Sequence, residues 1–286
     1  MRRALSLLPV LLVIGGLFGG GLVLALVQSL GYFAPAGEHS FTLAHYQALV
    51  WDKEIRFSVL LTFALGSVST IISAVLGVSL ALAFRGVAKG NRILTALLQV
   101  PIGVPHLAMA IVLIDVAGQS GLVARILHVL GFAAVPAAFP ELINDRYGIG
   151  IAAAYVLKET PFIALVALAM LRRVAEEYEL VAATLGASNW QRFRHVTLPL
   201  IAPAIVSASL LVFAFVFGAF EIPYVLGRPY PAMLGVIAQR RFMSIDLVER
   251  PDAIAVAVFM SAVSTLLIWA YLRLSRHLIG DRPALF

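Results

Sequence analysis

Six long apolar stretches decide what this chain can fold into. A membrane-spanning helix needs about 20 mostly apolar residues to cross roughly 30 Å of hydrocarbon. Residues 5–30, 57–84, 93–116, 148–171, 200–220 and 253–274 each satisfy that length. None of them alternates apolar and polar residues, so a transmembrane β-barrel is excluded. Apolar side chains make up 61% of the 286 residues and charged ones only 13%, which leaves too little polar surface to cover a soluble core. The sequence specifies an all-α integral membrane protein with six transmembrane helices, and residues 1–286 read as one transmembrane domain. It contains no cysteine, so thiolate catalysis, disulfides and cysteine-ligated metals are ruled out.

The first stretch follows Arg2 and Arg3 and precedes Ala34-Pro35-Ala36, a layout that cleaved signal peptides share. Its apolar run of about 26 residues exceeds the 7–15 of a signal core, so an uncleaved first helix is expected. Six crossings put both ends of the chain on one side. Twelve basic residues fall on that side, among them Arg85, Lys89, Arg92, Arg172, Arg173, Arg192, Arg194 and Arg282, against eight on the other. Basic loops are retained in the cytoplasm, so both termini are expected there. The same distribution accounts for the net charge of +6 without nucleic acid. Three loops then face outward, roughly 31–56, 117–147 and 221–252. The first contains Phe41-Thr42-Leu43-Ala44-His45-Tyr46, a candidate for a short helix lying on the membrane.

The cytoplasmic loop at about 172–199 carries the strongest local pattern. Val174, Tyr178, Val181 and Leu185 recur at helical spacing and make one apolar stripe. Glu176, Glu177 and Glu179 occupy its early turns, where carboxylates favour the positive end of a helix dipole. Gly186 closes that helix, and Ser188 with Gln191 forms a capping box for a second one. Pro199 and Pro203 then mark the entry to the fifth span. Tethering by spans on both sides argues against DNA binding. Pattern alone leaves two readings, a helix docked in a partner's groove or a helix lying on lipid.

These residues resemble the cytoplasmic signature of the inner-membrane permease subunits of binding-protein-dependent ABC importers. That signature runs Glu-Ala-Ala, three residues, Gly, then a spacer ending in Leu-Pro. Ala182, Leu185-Gly186-Ala187-Ser188, Trp190, Phe193 and Leu198-Pro199 stand in its register. Leu180 and Val181 replace the signature Glu and first Ala, which leaves Glu179 or Glu177 to take the acidic role. The likeness extends over about 46–275, through Pro101-Ile102-Gly103-Val104-Pro105-His106, Pro140-Glu141-Leu142-Ile143-Asn144-Asp145 and Lys158-Glu159-Thr160-Pro161-Phe162. Gly218-Ala219-Phe220-Glu221-Ile222-Pro223-Tyr224-Val225-Leu226-Gly227 resembles the end of the fifth span in polyamine, ferric-ion and thiamine permeases.

The resemblance implies a multi-pass permease of a bacterial inner membrane, working by alternating access. Its implied partners are two copies of an ABC ATPase, a second permease subunit (a sister chain or itself), an extracytoplasmic solute-binding protein and membrane lipid. Glu177, Tyr178, Glu179, Val181, Ala182, Leu185, Gly186, Ala187 and Ser188 are the implied ATPase-coupling residues. The chain lacks Gly-x-x-x-x-Gly-Lys-Ser/Thr, so it has no phosphate cradle of its own. ATP and Mg are expected in the partner ATPase, with no cofactor or metal on this chain, and the chain is not expected to be an enzyme.

Charges inside spans are costly and mark function by default. Asp115, Lys158, Glu159 and Glu221 are the pathway candidates. Pairing with polar neighbours, or snorkelling for Asp115 and Glu221, explains them equally well. Three acids against one base suit a cationic solute, and a polyamine is the first expectation. The alternative is a secondary transporter that couples an ion gradient through the same four charges. Pro101, Pro105 and Pro161 are expected to kink their helices and free carbonyls. Gly15, Gly16, Gly19, Gly20 and Gly21 offer a close-packing face on the first span, toward its own bundle or toward a partner.

Overall fold

A computed structural model describes residues 9–86, 92–132, 139–172 and 176–279. Arg2, Arg3, Lys89, Arg173, Val174 and Arg282 lie outside the described residues. Every described element is helical. Six helices are long and apolar enough to cross a membrane: Pro9–Ala36, Lys53–Phe84, His106–Val129, Ile149–Met170, Asn189–Gly218 and Glu249–Arg273.

The fourth span is the axis of the bundle. Of its most apolar window 56% is buried, against 0% for the first span. Ile151, Ala154, Tyr155 and Ile163 of the fourth span pack against Leu65 of the second, Ala110 and Leu113 of the third, and Val212 and Val216 of the fifth. The second span approaches closely because its buried face is small: Ser58, Thr62, Gly66, Ser69, Ser73, Gly77 and Ala81 follow one another at helical spacing. Small residues let helix backbones approach in a membrane, where no hydrophobic force draws helices together.

Gly77 is the tightest of these contacts. A Cβ there would stand 2.9 Å from Ile163 side-chain carbons and 3.0 Å from the Ala164 backbone nitrogen. Gly77→Leu is therefore expected to destabilise the bundle by about 3 kcal/mol through overpacking. Gly86→Leu is the control, since a Cβ at Gly86 meets nothing within 4 Å. Thermal unfolding in detergent measures both, and equal midpoints would contradict this packing.

Two spans differ from their sequence expectation. The third apolar run is broken into the helices Arg92–Gly103 and His106–Ala117. The break lies at Pro105, whose ring removes a helix donor and clashes with the preceding turn. The fifth span begins at Asn189 rather than near residue 200. Ser188 starts it through a complete capping box, and the helix continues through a wider turn at Phe193–Thr197 into Leu198–Gly218. Pro199 lacks the N–H that would bond the His195 carbonyl, which suits a widened turn just before it.

The ends of the spans are pinned by carboxylates. Asp145 is buried and accepts the backbone N–H groups of Tyr147 and Ile149 at 2.9 Å and of Gly150 at 3.2 Å, capping the fourth span. At the same end His45 lies between Asp252 (2.8 Å) and Glu38 (3.2 Å), and Arg241 bonds Asp52 at 2.6 Å. This network joins the short helix Ala44–Trp51 to the starts of the second and sixth spans.

Burial works to raise the pKa of Asp52, but the Arg241 guanidinium and the N–H of Glu54 outweigh it and hold the carboxyl below its ordinary 3.8. A depressed carboxylate pKa stabilises the fold above the unfolded value and loses that contribution as pH falls through the folded one. Asp52→Asn should therefore unfold at a lower temperature than wild type at neutral pH, and the gap should close below about pH 3.8. Melting curves of the two proteins across pH read this directly.

The first span packs along the sixth, but not with its glycine face. A Cβ at Gly15, Gly16, Gly19, Gly20 or Gly21 would meet nothing within 4 Å, so its own bundle does not use that face. Near its far end Ser29 shares a 2.6 Å hydrogen bond with Tyr46.

Candidate functional site

Two places bring chemistry-bearing side chains together. The first is the break between the helices Arg92–Gly103 and His106–Ala117, level with the middle of the fourth span. Lys158 is the middle of the fourth span, Ile149–Met170, and is only 4% exposed. Its Nζ donates to the carbonyls of Val104 (2.6 Å), Pro101 (3.0 Å) and Ile102 (3.3 Å). Glu159, the next residue, sets a carboxylate oxygen 3.4 Å from His106 Nε2. The His106 ring lies against Phe215 of the fifth span, with centroids 4.5 Å apart. Ile102, His106, Lys158, Glu159, Phe162 and Phe215 line a cavity of about 200 Å³. A larger groove of about 650 Å³ between the first, fifth and sixth spans has no charged residue in its lining.

Of the four charges singled out in the sequence, the structure joins Lys158 and Glu159 at this cavity. Glu221 is exposed at the start of the helix Glu221–Leu226 and does not line the cavity. Asp115 is exposed near the end of His106–Ala117 and does not line the cavity. His106 was not among the candidate site residues. Its sequence signal was its place directly after Pro105, where a broken helix restarts.

The second place is the loop between the fourth and fifth spans. The helix Glu176–Thr184 ends in a Schellman turn: Gly186 has φ +83°, its N–H bonds the Ala183 carbonyl, and the Ala187 N–H bonds the Ala182 carbonyl, both at 3.0 Å. Ser188 Oγ then accepts the Gln191 N–H, and Gln191 Oε1 accepts the Ser188 N–H at 2.8 Å. Helix Glu176–Thr184 is amphipathic in an inverted sense. Glu179 is buried, with Arg85 Nη1 2.8 and 2.9 Å from its two oxygens and the Thr197 hydroxyl donating to one of them. Tyr178, Leu180, Val181 and Leu185 face outward, Leu185 being 83% exposed, and Trp190 stands out beside them. Ala182 and Ala187 are half-buried, while Gly186 and Ser188 are exposed.

Glu179 thus takes a salt-bridging role within its own chain, although Leu180 and Val181 stand where the signature has Glu-Ala. It fastens three elements: the end of the second span, the loop helix, and the base of the fifth span. Arg85 and Thr197 were missed as site residues. Arg85 entered the sequence reading only as a topological charge, and its partner lies 94 positions away.

Comparison with known proteins decides the family. The family described as binding-protein-dependent transport system inner membrane component matches residues 73–280. The chain belongs to that family. The match begins inside the second span and takes in both candidate sites, and the family places the chain in the inner membrane as a multi-pass protein. Among its relatives is the trehalose/maltose transport system permease protein MalF of Thermococcus litoralis, 31% identical over 64% of this chain and 62% of that one. The chain thus spans less than two thirds of that relative's length. The sulfate transport system permease protein CysT of Escherichia coli is 26% identical over 83% of this chain and 84% of its own. The fold matches a chain of the crystal structure of a bacterial alginate ABC transporter in complex with alginate pentasaccharide-bound periplasmic protein. Its TM-score is 0.76 at 20% identity, covering 97% of this chain and 93% of that one.

Proposed function

We propose that this chain is the permease subunit of an ABC importer, forming a wall of the solute pathway and moved by a partner ATPase. One observation carries the reading. The loop helix Glu176–Thr184 turns the Glu179 carboxylate inward onto Arg85 and leaves Tyr178, Val181 and the following Leu185 exposed. An amphipathic helix with an uncovered apolar face suits a partner's groove, with anchors at helical spacing. Two ATPase copies, which hold ATP and Mg, receive these helices on the cytoplasmic side. That is the side on which the basic residues and both termini concentrate. A second permease subunit, sister chain or self, completes the pathway, and an extracytoplasmic binding protein delivers the solute to the opposite end.

The mechanism follows from rigid connections. The segment from Asn189 runs into the fifth span as one helical rod, so a shift of the docked loop rotates that span directly. The Glu179 pair passes the same shift to the second span. Domain rocking of this kind switches a midplane cavity between the two sides. The residues Glu177, Tyr178, Glu179, Val181, Ala182, Leu185, Gly186, Ala187 and Ser188 serve this coupling, and Glu159, Glu221 and Asp115 remain candidates for the pathway.

The solute is small and polar. Relatives named for trehalose/maltose and sulfate support a sugar or an oxyanion. A polyamine has only the excess of intramembrane acids in its favour. The ion-coupled alternative is disfavoured by the family, which is described as binding-protein-dependent transport.

Affinity purification of the tagged chain from its native membrane in mild detergent, with mass spectrometry of what accompanies it, tests the reading. Recovery of an ATPase with a phosphate-binding loop together with an extracytoplasmic binding protein is expected. A chain that purifies alone from membranes that still transport would contradict it.

A further inference from the structure

We infer that Lys158 is a positioning residue that holds the third span in its broken form, and that its charge serves the pathway wall rather than the solute. In a continuous helix the carbonyl of Pro101 would bond the N–H of residue 105, but Pro105 has none. The helix restarts after the break, and the Pro105 carbonyl receives the Met109 N–H at 3.0 Å. The carbonyls at the end of Arg92–Gly103 are left without helical partners, and hydrocarbon supplies no water to satisfy them. An ammonium has three donors. Lys158 presents it to three carbonyls, those of Pro101, Ile102 and Val104.

Electrostatics agree with this geometry. The carboxyl end of a helix carries partial negative charge, and a cation there is favoured. Lys158 therefore stands where both hydrogen bonding and the dipole of Arg92–Gly103 stabilise it. A default reading would make an intramembrane lysine a solute contact. Here the side chain is 4% exposed and its donors have partners. The lysine also sets the neighbouring contact. By fastening the third span to the fourth at the break, it brings His106, just past Pro105, opposite Glu159, just past Lys158. The cavity wall depends on the strap.

The inference rests on the broken span alone, so it stands or falls independently of the partner ATPase. The chain has no native cysteine, so labels can be placed without removing any. Nitroxide labels at L97C and V112C, both exposed sites on the two half-helices, report the kink by pulsed electron resonance. Lys158→Met keeps length and removes the donors. It is expected to lower the unfolding midpoint by roughly 5–10 °C and to broaden the label distance in the protein that stays folded. Pro105→Ala in that background restores the missing N–H. It should recover most of the midpoint and move the labels toward the roughly 22 Å backbone separation of fifteen residues in a straight helix. A Lys158→Met protein with wild-type midpoint and distance would overturn the inference. So would a double variant that is no more stable than Lys158→Met, including one that fails to fold.

Discussion

Leu185→Glu is expected to weaken the hold of the chain on the proposed ATPase partner by at least about tenfold while leaving the chain folded. Leu185 is 83% exposed and follows the Glu176–Thr184 helix on its outward face, so its own bundle gains nothing from the side chain. Burying a leucine in a partner contributes about 1.5–3 kcal/mol. A carboxylate in its place would have to be desolvated without a partner, which costs more. Both effects act on the complex and neither on the isolated chain. Copurification of the ATPase at graded detergent and salt should fall, with the thermal midpoint of the permease unchanged. Undiminished retention would show that this face is not the docking surface.

Glu179→Gln is expected to do the reverse, leaving the complex assembled but disconnecting its motion. The carboxylate holds Arg85 of the second span's end and Thr197 at the base of the fifth. Hydrogen bonds to charged groups are worth about 1.5–3 kcal/mol. Arg85 is 47% exposed, so solvent screening reduces the loss to about 1–2 kcal/mol. That is enough to free one joint without unfolding the bundle. Spin labels at T184C on the loop helix and V75C on the second span, both exposed, should keep one distance with and without ATP in wild type, because the pair moves the two elements together. In Glu179→Gln, ATP turnover should stay within about twofold while the second span no longer follows the loop helix, so that the label distance changes with ATP. Exchange of the pair, Arg85→Glu with Glu179→Arg, should restore part of the coupling. A label distance in Glu179→Gln that stays the same with and without ATP would remove Glu179 from the transmission path.

What the sequence revealed and what it concealed follow the reach of each interaction. The spans were legible because apolarity over 20 residues is a local property. The turn at Gly186 and the box of Ser188 with Gln191 were legible too, since all their partners lie within a few residues. The direction of the Tyr178, Val181 and Leu185 stripe was not. Periodicity says that residues share a face, and only the bundle decides whether that face is turned in or out. Here Glu179 points in because Arg85 awaits it from another span. The fifth span came out longer than its prolines suggested, because a capping box upstream starts the helix before they are reached. At the third span the sequence offered Pro105 and a lysine as separate facts. Their connection joins positions more than fifty residues apart, and no local pattern encodes that distance.

The central claim is that the loop helix sits in an ATPase. A single cysteine at position 185, in a chain that has none of its own, allows a direct test in native membranes. A maleimide–benzophenone reagent is attached to it in inside-out vesicles stripped of peripheral protein, the stripped fraction is returned, and light inserts the benzophenone into neighbouring C–H bonds before the product is identified by peptide sequencing. The expected result is an adduct with a protein that carries a phosphate-binding loop and, in unstripped vesicles, protection of the cysteine from a water-soluble maleimide. A cysteine that labels freely from the aqueous phase and yields no adduct would contradict the account.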